Sequence, residues 1–164
     1  MNENLVIRRA AEADFDGIWE IFHPVVAKGD TYAYDPATTK EQARAIWLAP
    51  GLSTFVALRG GEIVGTYILK ANQPGLGSHV ANAGYMVRPD QAGRGIGRAL
   101  CEHSLDEARR AGFLAMQFNA VVSTNEPAVA LWKKMGFAVV GTIPKAFRHR
   151  EHGLVDLFVM HRFL

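Results

Sequence analysis

The sequence predicts a mixed α/β domain, a sheet flanked by helices, and three observations carry that reading. Helix-like and strand-like stretches alternate along the whole chain. No repeat, low-complexity tract or linker interrupts them, which predicts a single domain over 1–164. The 164 residues are 49% apolar, enough for one buried core.

Residues 5–9 read as a first strand. Glu12 and Asp14 then place negative charge in the first turn of a helix, where the dipole favours it. Phe15, Ile18, Trp19 and Phe22 share one apolar face, and Pro24 is expected to end or kink the helix near His23. Residues 28–39 carry turn formers and two aromatics, Tyr32 and Tyr34, and read as a loop before a short helix over 40–48. Strands over 53–58 and 62–70 meet at Gly60 and Gly61, a hairpin signal. A loop over 72–78 precedes a strand over 80–87, in which Gly84 suggests a bulge.

A long helix follows over 95–111. Gly97, Leu100, Cys101, Ser104, Leu105 and Ala108 line one side of it, and Arg98, Glu102, Asp106 and Arg110 the other with i,i+4 pairing. The chain closes with a strand over 113–121, a helix over 127–134, a strand over 137–143 and a last strand over 154–163.

Composition excludes several function classes. A formal charge of +2, with no basic run on any predicted element, argues against nucleic acid as a partner. One cysteine, Cys101, allows neither an internal disulfide nor a cysteine-based metal cluster, and no metal is expected. Its place on an apolar helix face makes it a buried structural thiol rather than a nucleophile. No basic-then-apolar leader opens the chain, and no apolar run nears the ~20 residues of a membrane helix. A soluble cytoplasmic domain is expected.

The informative stretch runs from Val87 to Arg98. A strand enters a turn in which Gly93, Gly95 and Gly97 alternate, and the turn opens the long helix. Free backbone N–H groups and the positive end of the helix dipole make an anion site suited to a pyrophosphate. Arg94 and Arg98 can add charge-assisted contacts. The glycines are followed by Gly-Arg-Ala, not the Gly-Lys-Ser/Thr of a Walker A loop, and the spacing does not suit a dinucleotide fingerprint.

Two motifs carry a resemblance to a known family. The run Ala92–Gly97 resembles the coenzyme A loop of the GNAT superfamily, Gln/Arg-x-x-Gly-x-Gly/Ala. Asn125, Ala128, Leu131, Trp132, Met135, Gly136 and Phe137 are similar to its second signature, in the right order and separation. The likeness spans nearly the whole chain and is nearest the amino-acid and phosphinothricin-type N-acetyltransferases. It implies the GNAT fold: a mixed, mainly antiparallel sheet flanked by helices and splayed at the cofactor slot. It implies acetyl-CoA as co-substrate, a small-molecule amine as acceptor and a possible homodimer. Two positions depart from the pattern. Ala92 stands at the usual Gln/Arg, a contact Gln91 or Arg94 could replace. Trp132 stands where many members carry a proton-donating tyrosine.

The resemblance also distributes roles. The pantetheine arm would lie along Tyr85, Met86 and Val87 like an added strand, with the N–H of Met86 or Val87 on the thioester oxygen. Ala92, Gly93, Arg94, Gly95, Ile96, Gly97 and Arg98 would hold the phosphates. Asn125 would contact coenzyme A and also cap its helix. The carboxylate of the subgroup is replaced by Asn82, which could hold a proton-relaying water. His79 is the nearest imidazole and Tyr85 the nearest phenol, so Asn82, His79 and Tyr85 are the catalytic candidates. Tyr32 and Tyr34 would form one acceptor wall. Phe147 and Arg148, in a loop before the last strand, would form the other, with Arg148 on an acceptor carboxylate. The alternatives are an acetyltransferase for protein or peptide amines, and an acyl-CoA-binding sensor with weak catalysis.

Overall fold

A computed structural model describes residues 4–164. Strand β1 (Val6–Arg9) runs into a single 3-10 turn at Glu12–Asp14 and then helix α1 (Phe15–Ala27). Asp14 accepts from the N–H of Ala11 at 2.7 Å and from both terminal nitrogens of Arg8. The Arg8 guanidinium holds that carboxylate below its ordinary range. Helix α2 (Lys40–Trp47) starts on a capping box. Thr39 accepts from the Gln42 N–H, and the Gln42 side chain accepts from the Thr39 N–H.

Strands β2 (Ser53–Arg59) and β3 (Glu62–Ala71) form a hairpin. Both turn glycines have positive φ, 59° at Gly60 and 81° at Gly61, the twist a two-residue hairpin needs. Strand β4 (Val80–Val87), helix α3 (Ile96–Arg110), strand β5 (Ala115–Val122), helix α4 (Glu126–Lys134) and strands β6 (Ala138–His149) and β7 (Gly153–Phe163) complete the chain. The seven strands order as β1-β2-β3-β4-β5-β7-β6. All neighbours are antiparallel except β4 and β5.

The sheet divides the core in two. Under α1 and α2 lie Phe15, Ile18, Phe22, Trp47, Val56, Ile68 and Met86. Under α3 lie Tyr67, Leu100, Leu105, Met116 and Phe118. Burying apolar faces on both sides of one sheet keeps β3 and β4 rigid, and those strands carry the site.

Four details differ from the sequence reading. Pro24 lies within α1, on its exposed side, where water can serve the Glu20 carbonyl that loses its N–H partner; buried Val26 holds the last turn down. Gly84 is no bulge, since β3 and β4 pair in unbroken register from Gly65↔Val87 to Ala71↔Ala81. On α3 only Arg98–Glu102 pairs at i,i+4, while Asp106 takes Arg109 and Glu107 takes Arg110. Strand β6 continues past Pro144 to His149. Three residues, 144–146, bulge between Ile143↔Leu157 and Phe147↔Val155, and the Asp156 carboxylate takes the Lys145 N–H at 3.0 Å.

Gly65 is where sheet and helix come closest. A Cβ there would lie 2.9 Å from Ile96 Cγ2 and 3.0 Å from Leu100 Cδ1. Gly65→Ala is therefore expected to overpack the α3 contact at a cost of about 1–3 kcal/mol, read as a Tm fall of about 2–4 °C per kcal/mol in a thermal melt.

Candidate active site

The site begins where two strands stop pairing. Strands β4 and β5 are partners only at Val80↔Ala115 and Ala81↔Met116. Just beyond, the Asn82 side-chain amide donates to the Gln117 carbonyl at 2.9 Å and spans the opening fork. β5 then shifts register against β7 between Phe118 and Val121, which bends it away. A cleft of about 450 Å³ opens between the two strands.

Strand alternation decides which amides face it. Asn72 donates to the Val80 carbonyl, and Arg88 donates to the Val64 carbonyl. These bonds turn the main chain of even-numbered β4 residues toward β3. Ala83, Tyr85 and Val87 therefore present their N–H and C=O groups to the cleft. Met86 does not: its amide faces β3 and its side chain is buried under α1. Of the two donors considered for a thioester oxygen, this geometry retains Val87.

The glycine turn stands at the far end of β4. A 3-10 turn at Pro89–Gln91 leads to Gly93 (φ 75°) and to Gly95 (φ 78°), the residue before α3. Both conformations favour glycine, and a Cβ on either would meet no protein atom within 4 Å. The first helical bond runs from the Ala99 N–H to the Gly95 carbonyl. The N–H groups of Ile96, Gly97 and Arg98 thus have no intrahelical acceptor, which is an anion-binding arrangement. Ala92 and Arg94 are exposed beside it. Arg98 is engaged with Glu102 at 2.8 Å.

Aromatic rings line the cleft. Tyr32, at φ 58°, reaches over β4, and its hydroxyl donates to the Tyr85 carbonyl at 2.5 Å. Gly84 admits it, since a Cβ there would sit 3.3 Å from that hydroxyl oxygen. Tyr34 stacks on Tyr32 with centroids 5.7 Å apart, and Trp47 braces Tyr32 edge-on. Burial pushes both phenols upward in pKa, so they stay protonated donors. On the other wall Trp132 packs 5.0 Å from both Tyr85 and Phe118.

The model of the acetyltransferase (GNAT) family matches residues 15–137. The chain belongs to the GNAT family. It is 31% identical over 163 residues to the L-amino acid N-acetyltransferase AaaT of Escherichia coli, covering 96% of this chain and 97% of that one. A GCN5-related N-acetyltransferase from Kribbella flavida superposes with a TM-score of 0.93 at 49% identity, covering 98% of each chain. The Salmonella typhimurium protein yncA, solved with its cofactor acetyl-CoA, gives a TM-score of 0.83 at 27% identity, covering 98% of this chain and 94% of that one. This GNAT chain is an N-acetyltransferase with the mixed, mostly antiparallel sheet of its family.

The structure of this GNAT enzyme gathers some of the candidates and scatters others. Tyr32, Tyr34, Asn82, Tyr85, Val87 and Asn125 line the cleft. Asn125 precedes α4 but makes no side-chain cap bond. The Tyr85 hydroxyl meets Ser104 Oγ at 2.7 Å on the α3 side of the sheet, and burial raises its pKa well above the ordinary phenol, so it is no proton donor at the cleft. His79 is exposed and outside the cleft, three residues before Asn82, roughly 10 Å along a strand. Phe147 is buried among Val122, Val155 and Leu157, and Arg148 is exposed on the opposite face. Neither reaches the cleft, because the extended β6 carries them along the sheet edge. Cys101 is buried, and burial pushes its thiol up to about 12.

Lys70 and Asn119 also line the cleft and were missed from the sequence. Lys70 is placed by the β3–β4 register, which the loop at 72–78 conceals. Asn119 lies in the stretch where β5 changes register, and no local pattern marks it.

Tyr32 and Gly84 act as one unit. Tyr32→Phe is expected to cost about 1 kcal/mol through the lost bond to Tyr85. Gly84→Ala, by crowding the hydroxyl, is expected to cost a similar amount, about 1 kcal/mol. The double variant is expected to fall short of the sum in urea titrations, and strict additivity would show that the two do not meet.

Proposed function

We propose that this N-acetyltransferase moves the acetyl group of acetyl-CoA to the primary amine of a small molecule, an amino acid or a close analogue, by direct attack on the thioester. The carrying observation is the parting of β4 from β5 along the stretch of β4 that leads into the glycine turn before α3. A strand-like ligand segment ending in a diphosphate matches that sequence of surfaces. The pantetheine amides run beside Tyr85 and Val87, and the phosphates meet the amides of Ile96, Gly97 and Arg98 with Gly93, Arg94, Gly95 and Ala92 around them. Asn125 borders the same arm from α4. The Val87 N–H stabilises the tetrahedral oxyanion. The complex of yncA with acetyl-CoA and the amino-acid activity in the name of the E. coli relative support this reading. Stacked tyrosines in place of an acidic groove support a small acceptor over a basic peptide.

In the proposed reaction the amine nitrogen bonds to the thioester carbon. The C–S bond breaks as the tetrahedral intermediate collapses, and coenzyme A leaves as thiolate. The amine must first lose a proton. No carboxylate or imidazole lines the cleft among the described residues. The proton therefore passes to water, which the Asn82 side-chain oxygen can hold, its nitrogen being committed to Gln117.

Three outcomes test this. Free thiol is expected to appear only when acetyl-CoA and an amine are both present; tight acetyl-CoA binding without acceptor-dependent thiol would instead mark a sensor. The kcat/KM against pH is expected to inflect at the acceptor's own amine pKa, moving from acceptor to acceptor. An inflection fixed at about 6.5 for every acceptor would point to an enzyme histidine and remove the water relay. Gly97→Ala meets only ordinary contacts, 3.5 Å to Leu131 and 3.8 Å to Val87. It is expected to keep the Tm and weaken acetyl-CoA binding about tenfold by calorimetry, since its methyl group crowds the phosphate amides.

A further inference from the structure

One charged side chain lines the cleft among the described residues, and it is cationic. Lys70 lies directly across from Asn82 in the β3–β4 register. Cross-strand partners point to the same face, so the two side chains stand together on the side that carries Ile68 and the tyrosine loop. Lys70 forms no ion pair among the described residues. Three cations elsewhere in the fold are engaged. Arg88 is held by Glu62 and Asp90, Arg98 by Glu102, and Arg162 donates to the carbonyls of Met135 and Phe163.

The position of Lys70 matters as much as its charge. It sits at the fork, where β4 and β5 still touch. The glycine turn lies past the opposite end of β4, and that end, Val87, is five residues beyond Asn82, roughly 16 Å along a strand. The cofactor's anionic end and this cation are thereby kept apart. Between that end and Lys70 lies Tyr85, so an acceptor that reaches the thioester there can extend its substituents to the fork. There Asn119 donates to Asn72 at 2.6 Å and accepts from Gln117 at 2.9 Å, so the floor is amide and neutral.

We infer that Lys70 is the specificity residue for the acceptor, pairing with its carboxylate so that the enzyme selects α-amino acids over amines that lack one. The inference rests on the transferase reading above and deepens it. A cation that lines the cleft without an ion pair can cancel the negative charge of a zwitterionic acceptor while the amine reaches the thioester. This role replaces the one expected of Arg148, whose side chain lies outside the cleft.

The test compares an amino acid with its carboxamide, in wild type, Lys70→Gln and Lys70→Arg, by acceptor-dependent thiol release. Wild type is expected to favour the acid over the amide by about tenfold in kcat/KM. Lys70→Gln is expected to raise the acid's KM about tenfold, with the amide's KM and that of acetyl-CoA within about twofold of wild type; Lys70→Arg is expected to keep the preference. Lys70 is exposed, and thermal melts of both variants check that the fold is intact. Equal losses for acid and amide, or no preference in wild type, overturn the pairing while leaving the transferase reading in place. No thiol release with any amine overturns both.

Discussion

The whole site depends on a parallel strand pair that is allowed only two residues of partnership. Backbone amides buried without partners are costly, so strands that diverge inside a sheet need something to take their freed groups. Here two side chains take part of that load. Asn82 donates across the fork to the Gln117 carbonyl, and the Tyr32 hydroxyl donates to the Tyr85 carbonyl. What stays unengaged, the N–H groups of Tyr85 and Val87 among them, is the surface a ligand with its own amides can complete. The fold holds the gap open.

Keeping the gap open requires stiff walls. Tyr85, Phe118, Trp132 and Phe137 form a contiguous aromatic cluster, tilted and edge-on at Trp132 and stacked at Phe118 and Phe137, whose centroids are 4.2 Å apart. Across the cleft, Tyr32 stacks on Tyr34 and rests against Trp47, whose indole N–H is tied to Thr66 at 3.0 Å. Tyr32 pays for its place with a positive φ, a conformation that persists only where surrounding contacts impose it. The small residue opposite, Gly84, makes that placement possible. Strain in the loop and a glycine in the strand are two halves of one contact.

Features encoded by contiguous residues were legible in the sequence, and features assembled from distant ones were not. The glycine turn announces itself because positive φ at Gly93 and Gly95 demands glycine locally. The helix faces follow from periodicity, and β4 was placed at its observed bounds. By contrast, Gly84 looked like a bulge because its reason, Tyr32, lies 52 residues away. The strand expected over 137–143 stops short because the carboxylate that carries β6 past Pro144 belongs to Asp156 on β7. That one misreading displaced Phe147 and Arg148 from strand to loop and led to an acceptor role for two residues that lie outside the cleft. Lys70 needed the register of two strands, which no single stretch of sequence states.

The same geometry bears on how the thiolate leaves in the proposed reaction. Trp132 has no proton to give, and the Tyr85 hydroxyl is turned to Ser104 on the far face of the sheet. Tyr32 does face the cleft, but burial raises its pKa, which makes it a reluctant acid though a durable hydrogen-bond donor. A thiol has an ordinary pKa of about 8.5, so its conjugate base leaves far more readily than an alkoxide or an amide. Protonation can follow departure, from water at the fork. A chain that keeps the cradle and the splayed strands can thus lose the tyrosine on α4 without losing the chemistry, because the difficult step is delivering a neutral amine. In the proposed reaction that step falls to the fork end of the cleft, which Asn82, Lys70 and the tyrosine pair line.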